Sequence, residues 1–189
     1  MPQDHSASHP VTASESVFEG RIWNIRRDTV DFMGEPIVRE YMEHPGAVAI
    51  LALNEQREVL LVRQYRHPVR QNLWEIPAGL TDLVGESKLN AAQRELLEES
   101  GWVATSWEEL TTFYTSPGGS NEQITVYLAQ DLSFRGRPDG AEGEERDLEP
   151  SWVPFHEALE SVLKAEIKNP STVIGILALA VWLGVSNAN

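Results

Sequence analysis

Between Gly46 and Gly101 the spacing of apolar residues changes period, and this change limits what the chain can fold into more than any other feature. "GAVAILAL" and "EVLLVRQYR" are short, nearly continuous apolar runs joined by the polar "NEQR", and they read as two buried or half-buried strands. "LWEIPAG" continues extended into a Pro and a Gly. After it, Leu89, Ala92 and Leu96 take the three-and-four spacing of an amphipathic helix, placed from about Leu89 to Ser100, with Gly101 suited to the position just past its end.

The flanking sequence extends the pattern. "SVFEGRIWNIRRDTVDF" and "IVREYM" look like strands separated by the turn cluster "MGEP", and "WEELTTFYTS" and "EQITVYLAQDL" like strands on either side of "PGGSN". A polar acidic stretch, "RGRPDGAEGEERDLEP", precedes a last strand, "SWVPF", and two helices. The final helix is capped by Asn169 with Pro170 at its first position, and Gly184 lies near its end. The expected class is α/β in the α+β sense: a mixed β-sheet core sandwiched between helices, with an N-terminal antiparallel strand region. One compact domain without a dividing linker is expected. Within it, residues 1–16 read as a disordered tail, 17–45 as the N-terminal strand region and 46–189 as the main domain.

Charge narrows the function. With 29 Asp and Glu against 15 Lys and Arg, the net charge is -14, a surface that repels nucleic acid and anionic membranes. The absence of cysteine removes disulfides, zinc thiolate sites and thiol catalysis. The apolar run from Val173 to Val185 is too short to span a bilayer, and the polar start carries no secretory pattern. A cytoplasmic protein is expected.

Against that excess of negative charge, Glu95, Glu98 and Glu99 crowd into one helical turn. At about 100 degrees per residue they occupy an arc beside the stripe of Leu89, Ala92 and Leu96. Like charges four residues apart oppose helix formation by roughly 0.2 to 0.5 kcal/mol. A solvated acidic face is one reading. The other is a cation site, because oxygen-only ligands on one face suit Mg2+ or Mn2+, no His or Cys lies nearby to favour zinc, and Arg94 stands one turn before Glu98, where it can orient that carboxylate.

These residues resemble the Nudix box. Gly79, Glu86, Arg94, Glu95, Leu96, Glu98, Glu99, Gly101 and Trp102 match it in order, with one departure: six residues, not five, separate Gly79 from Glu86. The extra residue falls in the loop before the helix and leaves the register from Glu86 onward intact. The resemblance implies the Nudix fold and a hydrolase of nucleoside diphosphates linked to another moiety. It makes Glu95 and Glu99 the principal metal ligands, with Glu98 a third acidic ligand or bridge and the Ala78 carbonyl completing the set, and Glu86 structural. Bound Mg2+, with Mn2+ as an alternative, would neutralise the carboxylates and turn a phosphate-repelling site into a phosphate-binding one.

Outside the box, "QYRH", "LWEIPAGL", "TSPGGSNE" and "REYMEHPGAVAI" are similar to the ADP-ribose pyrophosphatase branch, most of all to its actinobacterial members. Pro117, sixteen residues beyond Gly101, is the branch's marker. By that resemblance the substrate is ADP-ribose, split to AMP and ribose 5-phosphate. Arg66, at the end of an apolar strand, either meets the diphosphate bidentately or forms a surface ion pair. Arg39 helps hold the nucleotide; Trp23 stacks on adenine or serves core or dimer packing; Glu122 bonds the terminal ribose. Glu75 either faces the site or simply alternates out of its strand. The general base of the branch is a loop glutamate, for which Glu144 aligns first and Glu145 second, among Glu142 and Glu149 in the same acidic loop. The branch implies a homodimer that exchanges its N-terminal strands. The rival readings are another nucleoside diphosphate sugar, such as GDP-mannose, or a different nucleotide as substrate, and a Nudix-like regulator that binds without catalysis.

Overall fold

A computed structural model describes residues 1–138 and 148–184. The chain divides into two compact units, Met1–Pro45 with Tyr114–Glu122 and Gly46–Phe113 with Gln123–Asn189. A single undivided domain is therefore not what forms. The segment containing "PGGSN" joins the N-terminal strands through backbone pairing that local sequence does not reveal: Met42 N–H donates to Gly119 O at 2.9 Å and Asn121 N–H to Met42 O at 3.2 Å.

In the first unit, β1 (Val11–Glu19), β2 (Asn24–Phe32) and β3 (Glu35–Glu43) form an antiparallel sheet in that order. The β2–β3 hairpin runs from Asn24 opposite Glu43 to Phe32 opposite Glu35. It turns through Met33 and Gly34, both at positive φ (57° and 90°), the geometry that matches the twist of a two-residue hairpin. Regular structure begins at Val11, so the expected disordered tail to residue 16 is too long by the first six residues of β1. Every residue of β1 is exposed. Its polar composition reflects the lack of a buried face rather than the lack of a strand, and polar partners hold it: Arg27 bridges Glu15 and Glu40 at 2.7 and 2.6 Å, and Arg26 donates to Ser14 at 2.8 Å.

The second unit is built on β4 (Ala47–Ala52), which pairs parallel to β9 (Gln123–Phe134) and antiparallel to β7 (Ala78–Leu80) in a sheet ordered β7-β4-β9-β8, where β8 is Trp102–Tyr114. β5 (Glu58–Arg66) lies between β10 (Glu149–Pro154) and β6 (Gln71–Glu75) in a second sheet. All six residues of β4 are buried, and they alternate between two cores. Ala47, Ala49 and Leu51 pack with Val126, Leu128 and residues of α2 (Phe155–Leu163) and α3 (Pro170–Trp182). Val48, Ile50 and Ala52 pack with Ala91, Ala92 and Leu96 of α1 (Lys88–Ser100). A strand covered on both faces must be apolar at every position, which is why "GAVAILAL" does not alternate. The mixed sheet between helices is the expected Nudix architecture.

α1 and α3 are fixed at their ends. Ser87 Oγ accepts from Asn90 N–H to cap α1, and Gly101, at φ 78°, closes it in the left-handed conformation. Asn169 caps α3 through Thr172 N–H, with Pro170 at the first position.

Candidate active site

α1 is held against the β4–β7–β9 sheet by Ala91, Ala92 and Leu96, and this packing decides which way its carboxylates point. Leu89, expected in the stripe, is only partly buried, and Ala91 takes its place. The consequence is that Glu95 and Glu99 are carried into the protein, 9% and 7% exposed, while Glu98 stands further out, its side chain 43% exposed. The three carboxylates thus form a graded wall rather than a solvated face.

Backbone from β7 lines the wall. Ala78 N–H donates to Glu99 Oε2 at 3.0 Å. At Gly79 an added Cβ would overlap the Glu95 carboxyl group, so the absence of a side chain there lets Glu95 lie directly on the strand. The strand leading to Ala78 is tied in turn to α3, since Ile76 N–H donates to the fully buried Thr172 Oγ1 at 2.9 Å.

Arg94 organises the outer side. Its guanidinium donates to Glu95 at 2.5 Å, to Glu98 at 3.1 Å and to both oxygens of Glu86 at 3.1 and 3.0 Å. The sequence pointed to the Glu98 contact; the grip on Glu86 and Glu95 appears only in the fold. The hydrogen bonds to Arg94 hold the Glu86 carboxyl below its usual range, which fits the structural role expected of Glu86. Glu86 in turn raises the Arg94 guanidinium further, against the opposing effect of burial.

Glu99 behaves differently. Burial pushes its carboxyl up to about 8, with the charges of Glu95 and Glu75 adding to the rise, while the Ala78 N–H and Arg66 oppose it. An acid desolvated beside a second carboxylate is the arrangement that a bound cation relieves.

The donor set fits a hard divalent cation: every side-chain donor is a carboxylate, and one is strongly destabilised as an anion. Among the described residues no three His, Asp or Glu side chains already converge as a ligand cage. Glu95 and Glu98 turn toward Arg94, and Glu99 toward the Ala78 N–H.

Arg66 ends β5 as expected, with its side chain 40% exposed. Its Nε and one Nη donate to the two oxygens of Glu75 at 2.9 and 2.7 Å. Glu75, 2% exposed, faces inward and does not alternate out of its strand. This pairing was missed in the sequence. The available signal was an acidic residue in the otherwise uncharged "LWEIPAG", directly before the buried Ile76.

Trp23, Arg39 and Glu122 belong to the first unit. Trp23 lies just before β2, partly exposed, with the Phe18 ring 6.3 Å away. Arg39, on β3, lines a cavity of about 390 Å³ with Tyr41, Tyr114, Pro117 and Ser120. Glu122 accepts from Thr115 Oγ1 at 2.6 Å and lies 3.6 Å from His44 Nε2. Glu142, Glu144 and Glu145 lie outside the described residues. Glu149, the other acidic residue of that stretch, is in β10 and pairs with Arg63 at 2.7 Å on the surface.

Comparison with known proteins agrees with this geometry. A family model of the NUDIX domain matches residues 42–173. The chain is 45% identical over 168 residues to the ADP-ribose pyrophosphatase of Mycobacterium tuberculosis, covering 88% of this chain and 81% of that protein. It is 34% identical over 172 residues to the ADP-ribose pyrophosphatase of Bacillus subtilis, covering 90% and 92%. Among solved structures, the crystal structure of an ADP compounds hydrolase superposes with a TM-score of 0.75 at 23% identity, over 99% of this chain and all of that one, a likeness of fold. With the carboxylate wall of α1, the Gly79 strand beneath it and the mixed sheet between helices all in place, the chain belongs to the NUDIX family.

Proposed function

We propose that this chain hydrolyses the diphosphate of ADP-ribose to AMP and ribose 5-phosphate, with Mg2+ as its cation and Mn2+ as a substitute. The observation that carries the reading is the buried pair Glu95 and Glu99 on the Ala78–Gly79 strand, in a chain 45% identical to a protein named for that reaction. Glu95, Glu99 and Glu98, with the Ala78 carbonyl, would hold the cation. Bound there, it supplies positive charge against the diphosphate. Arg66 binds the diphosphate; Arg39 and Trp23 serve the nucleotide; Glu122, oriented by Thr115, takes the terminal ribose. Glu144, or Glu145 in its place, accepts the proton of the attacking water.

The same reading makes the protein a cytoplasmic homodimer that exchanges its N-terminal strands. No helix among the described residues is long and apolar enough to cross a membrane. Val11, Val17, Phe18, Phe32 and Val38 stand exposed in the three-stranded sheet, and apolar side chains left open on a sheet this small favour a second copy as their cover.

The test is a panel of nucleoside diphosphate compounds assayed with Mg2+ for nucleoside monophosphate release. ADP-ribose should be the preferred substrate, with AMP as product and no turnover in EDTA. Turnover of GDP-mannose well above ADP-ribose would replace the substrate assignment.

A further inference from the structure

We propose that Glu75 is a positioning residue, whose buried carboxylate holds the Arg66 guanidinium beside the carboxylate wall so that it meets the substrate's diphosphate. The inference rests on diphosphate hydrolysis as proposed above and adds to it a residue that does not touch the substrate.

In the β5–β6 hairpin, Arg66 is opposite Gln71, and Glu75 is opposite Val62. The guanidinium therefore does not take its cross-strand neighbour; it reaches back along the hairpin to Glu75. There both carboxylate oxygens are used, at 2.9 and 2.7 Å, so the position and the plane of the guanidinium are fixed together. Glu75 ends β6 three residues before Ala78, whose N–H donates to Glu99 Oε2 at 3.0 Å, so the segment that carries the pair runs directly into the wall.

The same hairpin offers a contrast. Arg63 meets Glu149 through a single 2.7 Å contact with both side chains largely exposed, 47% and 66%. Such a pair contributes little. Glu75, at 2% exposed, is desolvated, and a buried ion pair adds little net stability over apolar packing. Its return lies in where it puts Arg66. A guanidinium with 40% of its side chain exposed would otherwise sample several rotamers, and a displacement of about 1 Å at a clamping group can cost about a hundredfold in rate.

The experiment compares steady-state kinetics of wild type, E75Q, R66A and R66A/E75Q with ADP-ribose and Mg2+. E75Q should lower kcat/KM about 10- to 100-fold, and the double variant should be no worse than R66A. Added guanidinium ion should restore activity several-fold in R66A, where Glu75 remains to hold it, but not in R66A/E75Q. A merely structural pair predicts no difference in rescue. Unchanged kcat/KM in E75Q, additive losses in the double variant, or equal rescue would each overturn the proposal. If E75Q does not fold, E75D keeps the charge but shortens the reach; it should show the same loss, and wild-type kcat/KM in E75D overturns the role. Wild-type turnover is the control on the parent reading: if ADP-ribose is not hydrolysed, the substrate assignment falls by itself. The pair is then judged on affinity for magnesium pyrophosphate, which should fall at least tenfold in E75Q and which, if equal to wild type, refutes it.

Discussion

Replacing Glu99 by Gln separates the cost of the carboxylate wall from its use. The Glu99 carboxyl rises from an ordinary value near 4.5 to about 8, chiefly through burial. Its folded value lies above its unfolded one, so its contribution to stability is fully present below about pH 4.5 and is lost as pH rises toward 8. At pH 7 the folded acid has stayed protonated across about 2.5 pH units after the unfolded one has ionised. At 1.36 kcal/mol for each, stability at pH 7 is lower by roughly 3 kcal/mol than at pH 4.5, and above pH 8 by about 5. The glutamine of E99Q has no proton to lose, and its amide oxygen can still accept from Ala78 N–H. In EDTA the variant should match wild type near pH 4.5 and exceed it progressively at higher pH. At pH 7 the gain should be up to about 6 to 12 °C in Tm, using about 2 to 4 °C per kcal/mol for a chain of this size. Mg2+ should raise the Tm of wild type and not of E99Q, and turnover of E99Q should fall at least about a hundredfold. Thermal melts across pH with and without Mg2+, beside the activity assay, test all of this. An E99Q curve parallel to wild type, or a variant that is active, refutes the assignment of Glu99 as a desolvated metal ligand.

Other sites give sharper structural outcomes. Gly79→Ala places a Cβ where the Glu95 carboxyl lies; Mg2+ affinity measured by titration calorimetry should fall at least tenfold, while far-UV circular dichroism stays native, because Glu95 can swing outward. Gly101→Ala meets both a positive φ of 78° and Arg137 N at 2.8 Å, so urea denaturation should show a loss of about 2 to 3 kcal/mol, more than the roughly 1 kcal/mol of a helix-end glycine alone. Thr172→Val removes the acceptor of Ile76 N–H without changing side-chain volume much; leaving that buried donor unpaired should cost about 1 to 3 kcal/mol in the same assay. It should also speed amide exchange at Ile76.

How much of this was legible in the sequence depends on whether the deciding interaction is local. The helix, the glycine that ends it at Gly101, the Asn169 cap of α3 and the apolar run of β4 follow from period and composition, since each is settled by residues within a turn or a strand of one another, whereas the Ser87 cap of α1 emerges only in the fold. The first unit was less legible. Polar residues along β1 suggested disorder because pairing with β2 is a tertiary fact, and the return of Tyr114–Glu122 to the N-terminal strands rests on backbone bonds to Met42, nearly eighty residues away in sequence.

The departures inside the second unit have a common cause. Sequence patterning turns polar residues outward, yet Glu75, Glu95 and Glu99 are turned in, and the α1 stripe that packs on the sheet includes two of them. Burying three carboxylates within one small region opposes folding, and each is held by a group that local spacing alone does not predict: Glu75 by Arg66, Glu95 by Arg94, Glu99 by the Ala78 N–H. A fold carries such a cost where the charges are needed. The places where hydrophobic patterning misjudged burial are therefore the places where, on the proposed function, a cation and a diphosphate would find their partners.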